Sequence, residues 1–459
     1  MTNPSPSTAG ALGSRATSYA EADLLRGTAG APGTELRLTD DSAVLRRSIL
    51  PGGVRVITES VPGLRSASIG MWFGVGSRDE AAGQEGSTHF LEHLLFKGTA
   101  TRDAHDIAEA FDMIGGESNA ATSKEHTSYY ARVLAPDGMA ALDVLADMVT
   151  SSLLEPTDVE TERGVIVSEL ADAADDPADV AQEAFARAAF GEDTPLGRPI
   201  GGTNETVTAV PRDAVWEHYK RTYASDTLVV AAAGAVNHDE VCERVLADLA
   251  AAGWGASPDA VPRERRFEIE PFAALDVHDI TVPRESEQSH LYLTCQGIAV
   301  RDERRWAMSV LTTILGGGMS SRLFQEVREK RGLAYTTYAF DTSYAGAGAF
   351  GLYAGCAPGD VEEVCAVMIG EFEKLAEHGV TEREMTRARG QLRGAMVLGG
   401  EDSLARMGRL GRAEVVTGRL RSMEDNTRRL EAVTPEEVRE MAAWLVEQKR
   451  ARILVGPAD

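Results

Sequence analysis

The sequence predicts an α+β protein of two homologous domains, each a mainly antiparallel sheet packed with helices, which face each other across a cleft. Three observations support this prediction. The chain has 459 residues, which is enough for two or more domains. Strand and helix patterns recur in the same order in the two halves, with a nearly constant offset. Each half mixes the two patterns without strict alternation, which favours α+β domains over a parallel α/β sheet.

The N-terminal half opens with strand patterns and continues into helices. In the segment 68–75, Ile69, Met71, Phe73 and Val75 recur at every second position, as in a strand with one face buried. Asn237 and Glu240 are spaced to cap the helix that follows the last strand. The predicted strands are 54–57, 68–75, 117–122, 126–134 and 227–236. The predicted helical regions are 85–98, 104–114 and 137–223.

The C-terminal half repeats this order, which indicates an internal duplication. Strand 69–75 matches 289–295 at an offset of 220, and the strand at 227 matches 451 at an offset of 224. We therefore divide the chain into a disordered tail, a catalytic half, a linker rich in Gly, Pro and charge, and a second half without a metal site. Their predicted boundaries are 1–45, 46–249, 250–266 and 267–459.

The composition excludes some classes of partner. The net charge is −25, which makes nucleic acid an unsuitable partner and weakly favours basic peptides. The sequence has no run of 18 apolar residues and no apolar region near its start. We therefore expect a cytoplasmic protein that does not associate with membranes.

The segment Thr88–Phe96 carries two histidines and a glutamate at a spacing that suits a metal. His89 and His93 are one helical turn apart, so their imidazoles can bind the same cation. Zinc is suited to two imidazoles and a carboxylate, with water in the fourth position. Glu92 lies on nearly the same side and can act on that water as a base. The motif therefore predicts a zinc site for hydrolysis.

A third protein ligand is required, and the acidic segment 155–169 offers candidates. Glu162 and Glu169 are seven residues apart and share one face of a predicted helix. Glu169 could bind the metal while Glu162 orients a ligand histidine. A solvated acidic stripe explains the same spacing equally well, so the spacing alone does not decide between them.

The order His-x-x-Glu-His, with the segments described here, resembles the pitrilysin/insulinase family of zinc peptidases, in the branch that includes mitochondrial processing peptidase. In that family a glutamate ligand lies 76 residues after the second histidine, which is the position of Glu169. The resemblance thus implies that Glu169 is the third ligand and that Glu162 supports the site. It covers residues 46–456.

The resemblance also assigns roles to residues outside the metal motif. Segment 115–130 is similar to the family's active-site edge strand, which implies that Asn119 and Ala120 bind the substrate backbone. Arg328 and Tyr335 match an Arg/Tyr pair with the family's seven-residue spacing. Their implied roles are to bind substrate carbonyls and to stabilise the oxyanion.

The duplicated halves carry complementary sets of these residues. Shifted by 220, the positions of His89, Glu92 and His93 hold Ser309, Thr312 and Thr313, none of which completes a zinc site. We expect a zinc-dependent endopeptidase with one Zn²⁺ per chain that acts on peptides or unfolded segments. A homodimer is favoured. The alternatives are a catalytic subunit that needs a different partner chain and, less favoured, a scaffold without activity.

Overall fold

A computed structural model describes residues 21–23, 32–40, 42–254, 257, 259–266, 273 and 275–457. The strands are β1 (Glu21–Asp23), β2 (Glu35–Asp40), β3 (Ala43–Ile49), β4 (Arg55–Ser60), β5 (Ser66–Phe73), β6 (Glu117–Thr122), β7 (Thr127–Leu134), β8 (Leu228–Gly234), β9 (Ile280–Pro283), β10 (Ser289–Gln296), β11 (Ala334–Ser343), β12 (Gly348–Cys356), β13 (Arg419–Arg421) and β14 (Arg450–Gly456).

The α-helices lie between these strands in both halves. They are α1 (Ser87–Leu94), α2 (Ala104–Met113), α3 (Gly138–Ser151), α4 (Pro156–Asp175), α5 (Pro177–Phe190), α6 (Asn204–Ala209), α7 (Arg212–Thr222), α8 (His238–Ala251), α9 (Arg305–Gly316), α10 (Val361–His378), α11 (Glu382–Gly399), α12 (Ser403–Arg412), α13 (Met423–Ala432) and α14 (Pro435–Val446). The structure also has two π-helical segments, Phe324–Glu329 and Ala413–Thr417, and three short 3₁₀ helices, Ser77–Asp79, Ala135–Asp137 and Pro358–Asp360.

The sheets confirm the predicted fold class and show the duplication directly. The first sheet has seven strands in the order β2-β3-β4-β8-β5-β7-β6, and the second has five in the order β9-β14-β10-β12-β11. The last five strands of the first sheet correspond in order to the five of the second. In each sheet one pair is parallel, β4 with β8 and β9 with β14, while the other pairs are antiparallel.

Both sheets are covered on both faces, which explains why their central strands are continuously apolar. All seven residues of β8 are buried, as are all nine of β12. One face of each sheet packs against helices of its own half. The other face of each sheet packs against a helix from the opposite half.

This exchange of helices is reciprocal. Helix α5 of the N-terminal half places Phe185 against Tyr292 of the second sheet. Helix α12 of the C-terminal half places Met407 against Trp72 of the first sheet, where the indole N–H donates to the methionine sulfur at 3.2 Å. A Cβ at Gly411 would overlap the Trp72 ring, so only glycine allows α12 to approach this closely.

The predicted tail and linker differ from the structure at their boundaries. Residues 35–40 and 43–45 belong to strands β2 and β3, so the prediction of disorder up to residue 45 is wrong there. The reason is that β2 pairs with β3, which pairs with β4, and this pairing satisfies backbone groups of a polar segment. Residues 250 and 251 end α8 rather than begin the linker. Residues 21–23 of the predicted tail form β1, which also differs from the prediction of disorder. Residues 1–20, 24–31 and 41 of the tail and residues 255, 256 and 258 of the linker lie outside the described residues.

Within the described ranges, no helix is both long enough and apolar enough to cross a membrane.

Candidate metal centre

Helix α1 carries the His-x-x-Glu-His motif, and its first turn is held in place by a buried carboxylate. Glu80 accepts hydrogen bonds from the backbone N–H groups of Gly86 at 2.9 Å and Thr88 at 2.7 Å. Helix N-termini leave such N–H groups without partners inside the helix, and a carboxylate satisfies them well. Burial raises the pKa of Glu80 to about 7, although these backbone bonds oppose the rise. The Thr88 hydroxyl and the His218 imidazole Nε2 lie 3.1 Å apart and join α1 to α7.

Helix α4 packs against α1 and brings a third potential ligand to the two histidines. One carboxylate oxygen of Glu169 lies 3.9 Å from His89 Nε2 and 3.5 Å from His93 Nε2. In the described part of the chain, these three residues form the one group whose ligand atoms could hold a metal, all within 4.8 Å of one another. The structure therefore brings together the three side chains that the sequence analysis proposed as ligands.

The ligand atoms of His89, His93 and Glu169 are arranged to bind a divalent cation rather than to bond to one another. His93 Nδ1 lies 3.1 Å from Glu162, so the ring proton on that side points to a carboxylate and leaves the Nε2 lone pair towards Glu169. Burial, then repulsion from His93, lowers the pKa of His89, which favours its neutral form. Two imidazole nitrogens and a carboxylate oxygen that converge in this way form the kind of ligand set that a zinc ion stabilises.

Glu162 links His93 to Lys97, which lies in the turn that follows α1. Its two carboxylate oxygens contact His93 Nδ1 at 3.1 Å and Lys97 Nζ at 2.7 Å, and its side chain is only 4% exposed. Carboxylates that orient a ligand histidine in this way typically contribute 10- to 100-fold in metal affinity. Glu162 is therefore placed to orient His93 rather than to bind a metal directly.

We expect Glu162→Gln to weaken zinc binding by about 10- to 100-fold, because glutamine holds His93 less strongly and leaves Lys97 without its carboxylate. Competition with a fluorescent zinc chelator measures this affinity. Glu160→Gln is the matched control, since Glu160 lies on the same helix, is 70% exposed and pairs only with Arg163 among the ion pairs of the described chain. Equal zinc affinities for the two variants would contradict the role assigned to Glu162.

Glu92 lies on α1 between the two histidines but outside the ligand group. Its side chain is partly exposed, and its charge acts on two buried tyrosines of the neighbouring core. Burial, then the neighbouring Tyr223, raises the pKa of Tyr129, and Glu92 raises it further. The Tyr129 and Tyr223 hydroxyls lie 3.1 Å apart and remain protonated. Glu92 is thus a carboxylate that can face water beside the metal ligands.

Strand β6 forms the free edge of the first sheet and packs against α1. The N–H of Ala120 donates to the side-chain oxygen of Asn119 at 2.8 Å. An unpaired N–H on a sheet edge can be taken over by the carbonyl of an added strand. The structure therefore places Asn119 and Ala120 on an edge that is open to an extended peptide.

Arg328 and Tyr335 lie together in the C-terminal half. The Arg328 guanidinium donates to the backbone oxygen of Tyr335 at 2.9 Å and stacks over its ring at 4.4 Å from the centroid. The Tyr335 side chain is 73% exposed. Tyr335 is the second residue of β11, the edge strand that corresponds to β6 in the duplicated sheet. The structure brings these two residues to each other, and their contacts described here do not include the metal ligands.

Sequence reasoning missed two residues that position the site. Lys97 lies four residues after His93, and this helical spacing was a usable signal for a shared partner. Glu80 lies in the segment before α1, and no spacing in that segment indicates that its carboxylate folds back onto the helix.

Two family models match the chain. The model described as insulinase (peptidase family M16) matches residues 55–204, and the model described as peptidase M16 inactive domain matches residues 209–392. An uncharacterized zinc protease of Streptomyces coelicolor is 47% identical over 416 residues, which cover 90% of this chain and 90% of that protein. An uncharacterized zinc protease of Bacillus subtilis is 35% identical over 415 residues, 90% of this chain and 99% of that protein.

Solved structures show the same fold. The structure titled peptidase M16 inactive domain from Pseudomonas fluorescens has a TM-score of 0.81 and 21% identity, and the match covers 90% of this chain and 98% of that one. A protease from Helicobacter pylori has a TM-score of 0.78 and 19% identity, with 92% and 99% covered. At these identities the likeness concerns the fold alone.

Proposed function

Because this chain belongs to peptidase family M16, the insulinase family, we propose that it is a zinc-dependent endopeptidase that acts on peptides or unfolded segments. The observation that supports this most directly is the convergence of ligand atoms from His89, His93 and Glu169 within 4.8 Å. The family membership confirms the resemblance found in the sequence, while the branch that includes mitochondrial processing peptidase remains a prediction.

The proposed reaction is hydrolysis of a peptide bond with Glu92 as the acid–base group. A zinc ion held by His89, His93 and Glu169 would supply Lewis-acid polarisation and lower the pKa of water towards about 7. Glu92 takes a proton from the attacking water and returns it to the leaving amine. Glu162 holds His93 in the orientation that directs its Nε2 towards the metal position.

The proposed substrate adds as a strand to the free edge of β6. Main-chain hydrogen bonds then provide affinity for any extended segment, while a folded protein cannot present its backbone in this way. We propose that the Ala120 N–H exchanges its bond to Asn119 for a bond to a substrate carbonyl. This mode explains a preference for peptides over folded proteins.

We expect Ala120→Pro to lower kcat/KM for peptides about tenfold, which corresponds to the loss of one hydrogen bond that nothing else replaces. Proline is tolerated on edge strands because the N–H it removes does not pair within the sheet. Ala120→Gly keeps the N–H and is the control. Steady-state assays with a quenched fluorescent peptide measure the effect. Equal values for the proline and glycine variants would show that the substrate does not bind through this N–H.

We further propose that the active form is a homodimer in which the exposed Arg328 and Tyr335 contact substrate. The exposure of the Tyr335 hydroxyphenyl group supports this, since large aromatic side chains at 73% exposure suit a binding surface. Sedimentation of the purified chain tests the assembly. A monomer that binds zinc and cleaves only after a second, different polypeptide is added would support the heteromeric alternative instead.

Digestion of a random peptide library by the purified protein tests the proposed function, with zinc measured by mass spectrometry on the same sample. We expect about one zinc ion per chain, cleavage of peptides but not of folded proteins, and loss of cleavage with 1,10-phenanthroline that added zinc reverses. A protein that purifies without zinc and leaves every peptide intact would be a scaffold, and the proposal would be wrong.

A further inference from the structure

The junction between the two halves contains a buried group of charges, here called the arginine cluster: Arg47, Arg55, Arg265 and Glu414. Arg47 lies in β3, Arg55 in β4, Arg265 in the segment after α8, and Glu414 in the π-helical segment after α12. Each of the four side chains is at most 9% exposed. A buried charge is costly unless an opposite charge compensates it, so the balance within this cluster matters.

Three guanidinium groups share the single carboxylate of this cluster, and the sharing is unequal. Arg47 bonds to both oxygens of Glu414, and Arg265 bonds to one oxygen at 2.7 Å. Arg55 Nη1 lies 3.8 Å from Glu414, which is too far for a hydrogen bond. The side chain of Arg55 donates instead through Nη2 to the backbone oxygen of Thr227 at 3.3 Å.

Two donors of Arg55 remain without partners although the side chain is 3% exposed. Its Nε and Nη1 groups are buried and make no hydrogen bond. Burial, then repulsion from Arg265, lowers the pKa of Arg55 to about 9. Buried unsatisfied groups are rare in folded proteins, and an ion that the structure does not contain is one of the recognised explanations.

A cavity of about 310 Å³ includes Arg55 in its wall. Its wall includes five arginines and two acidic residues, and the arginines are Arg55, Arg221, Arg263, Arg265 and Arg266. Arg263 pairs with Asp226, and Arg266 pairs with Asp79. In its described hydrogen bonds, Arg221 contacts a backbone oxygen and the His218 ring, and none of these bonds is to a carboxylate. The cavity is thus positive in a chain whose net charge is −25.

We propose that this cavity binds the phosphate group of a small anionic ligand, with Arg55 at its base and the exposed Arg221 and Arg263 at its mouth. A phosphate dianion compensates the excess positive charge and accepts bonds from the free Nε and Nη1 of Arg55. Guanidinium groups bind phosphate oxygens through paired, charge-assisted hydrogen bonds. The cavity volume is at the lower end of the range for ligand pockets and is larger than the volume that a single ion occupies. The bound group links β4, the inter-half segment and the C-terminal half.

Calorimetric titration of the zinc-loaded full chain, in chloride buffer of constant ionic strength, tests this proposal. The probes are inorganic phosphate, pyrophosphate and ATP, and thermal unfolding is followed with each. We expect saturable binding of at least one probe and a rise in Tm, because the ligand binds only the folded chain. Pyrophosphate or ATP binding more tightly than phosphate assigns the site to a phosphorylated molecule, and equal affinities assign it to the free ion.

Variants locate the binding site within the chain. We expect Arg55→Met, and the double variant Arg221→Gln with Arg263→Gln, each to weaken binding about tenfold or more. Arg439→Gln is the control, because Arg439 is an exposed arginine that pairs with Glu436. The double variant changes only exposed residues, and it decides the outcome if Arg55→Met does not fold. Three results would each overturn the proposal. They are the absence of saturable binding, wild-type affinity in the double variant, and binding that disappears only when zinc is removed.

Discussion

Replacement of Glu92 by glutamine is expected to abolish peptide cleavage while zinc remains bound. Glutamine has nearly the same shape as glutamate but cannot accept a proton from water at neutral pH. The ligand group of His89, His93 and Glu169 does not include Glu92, so the variant keeps all three proposed ligands. General acid–base groups contribute typically 10²- to 10⁴-fold to a rate, and we expect a loss in kcat of at least about 10³-fold.

Cleavage of a fluorescent peptide and zinc content are measured on the same preparations of wild type and Glu92→Gln. His93→Ala provides the contrasting control, since it removes a ligand and should lose zinc and activity together. Cleavage by Glu92→Gln at the wild-type rate would remove Glu92 from the mechanism. Loss of zinc from this variant would instead identify Glu92 as a ligand.

Replacement of Glu414 by glutamine is expected to lower the free energy of unfolding by about 3–5 kcal/mol, the range found when one partner of a buried ion pair is removed. Burial opposes the charge of Glu414, but Arg47, Arg265 and Arg55 outweigh it and lower the pKa of this carboxyl to about 2. Glutamine therefore leaves three buried guanidinium groups without the charge that they share.

Urea unfolding measures this effect without adding ions that would screen the charges. Glu436→Gln is the matched control, because its ion pair with Arg439 lies on the surface and should contribute less than about 1 kcal/mol. Adding Arg47→Met to Glu414→Gln should recover part of the lost stability, since one uncompensated charge is then gone. Similar stabilities of Glu414→Gln and Glu436→Gln would show that the cluster does not stabilise the junction.

The fold was predictable because local patterns repeat along the chain. The order of strands in the duplicated sheets follows from the matched segments around residues 69 and 289 and around 227 and 451. The exchange of α5 and α12 was not predictable, because the periodicity of a helix shows which face is buried but not which sheet covers it. By contrast, Leu36 and Leu38 alternate with polar residues in 35–40, which was a usable signal for the strand that pairs with β3.

The site was predictable to the extent that its residues lie on one helix or match the family spacing. The positions of His89 and His93 follow from the period of α1, and the pairing of Arg328 with Tyr335 follows from a spacing of seven. The spacing of Glu162 and Glu169 left their roles open until α4 was seen to pack against α1. The arginine cluster joins residues up to 367 positions apart, and no local pattern could indicate it.

The reciprocal packing of α5 and α12 determines when each half can reach its native state during synthesis. The first sheet is complete in sequence at Gly234, but Trp72 stays uncovered until Arg412 has been made. At about 5–20 residues per second, this leaves an apolar surface exposed to solvent for roughly 10–35 seconds. A nascent chain truncated before α12 would therefore be a substrate for chaperones and quality-control proteases, even though every ligand of its metal centre is already present.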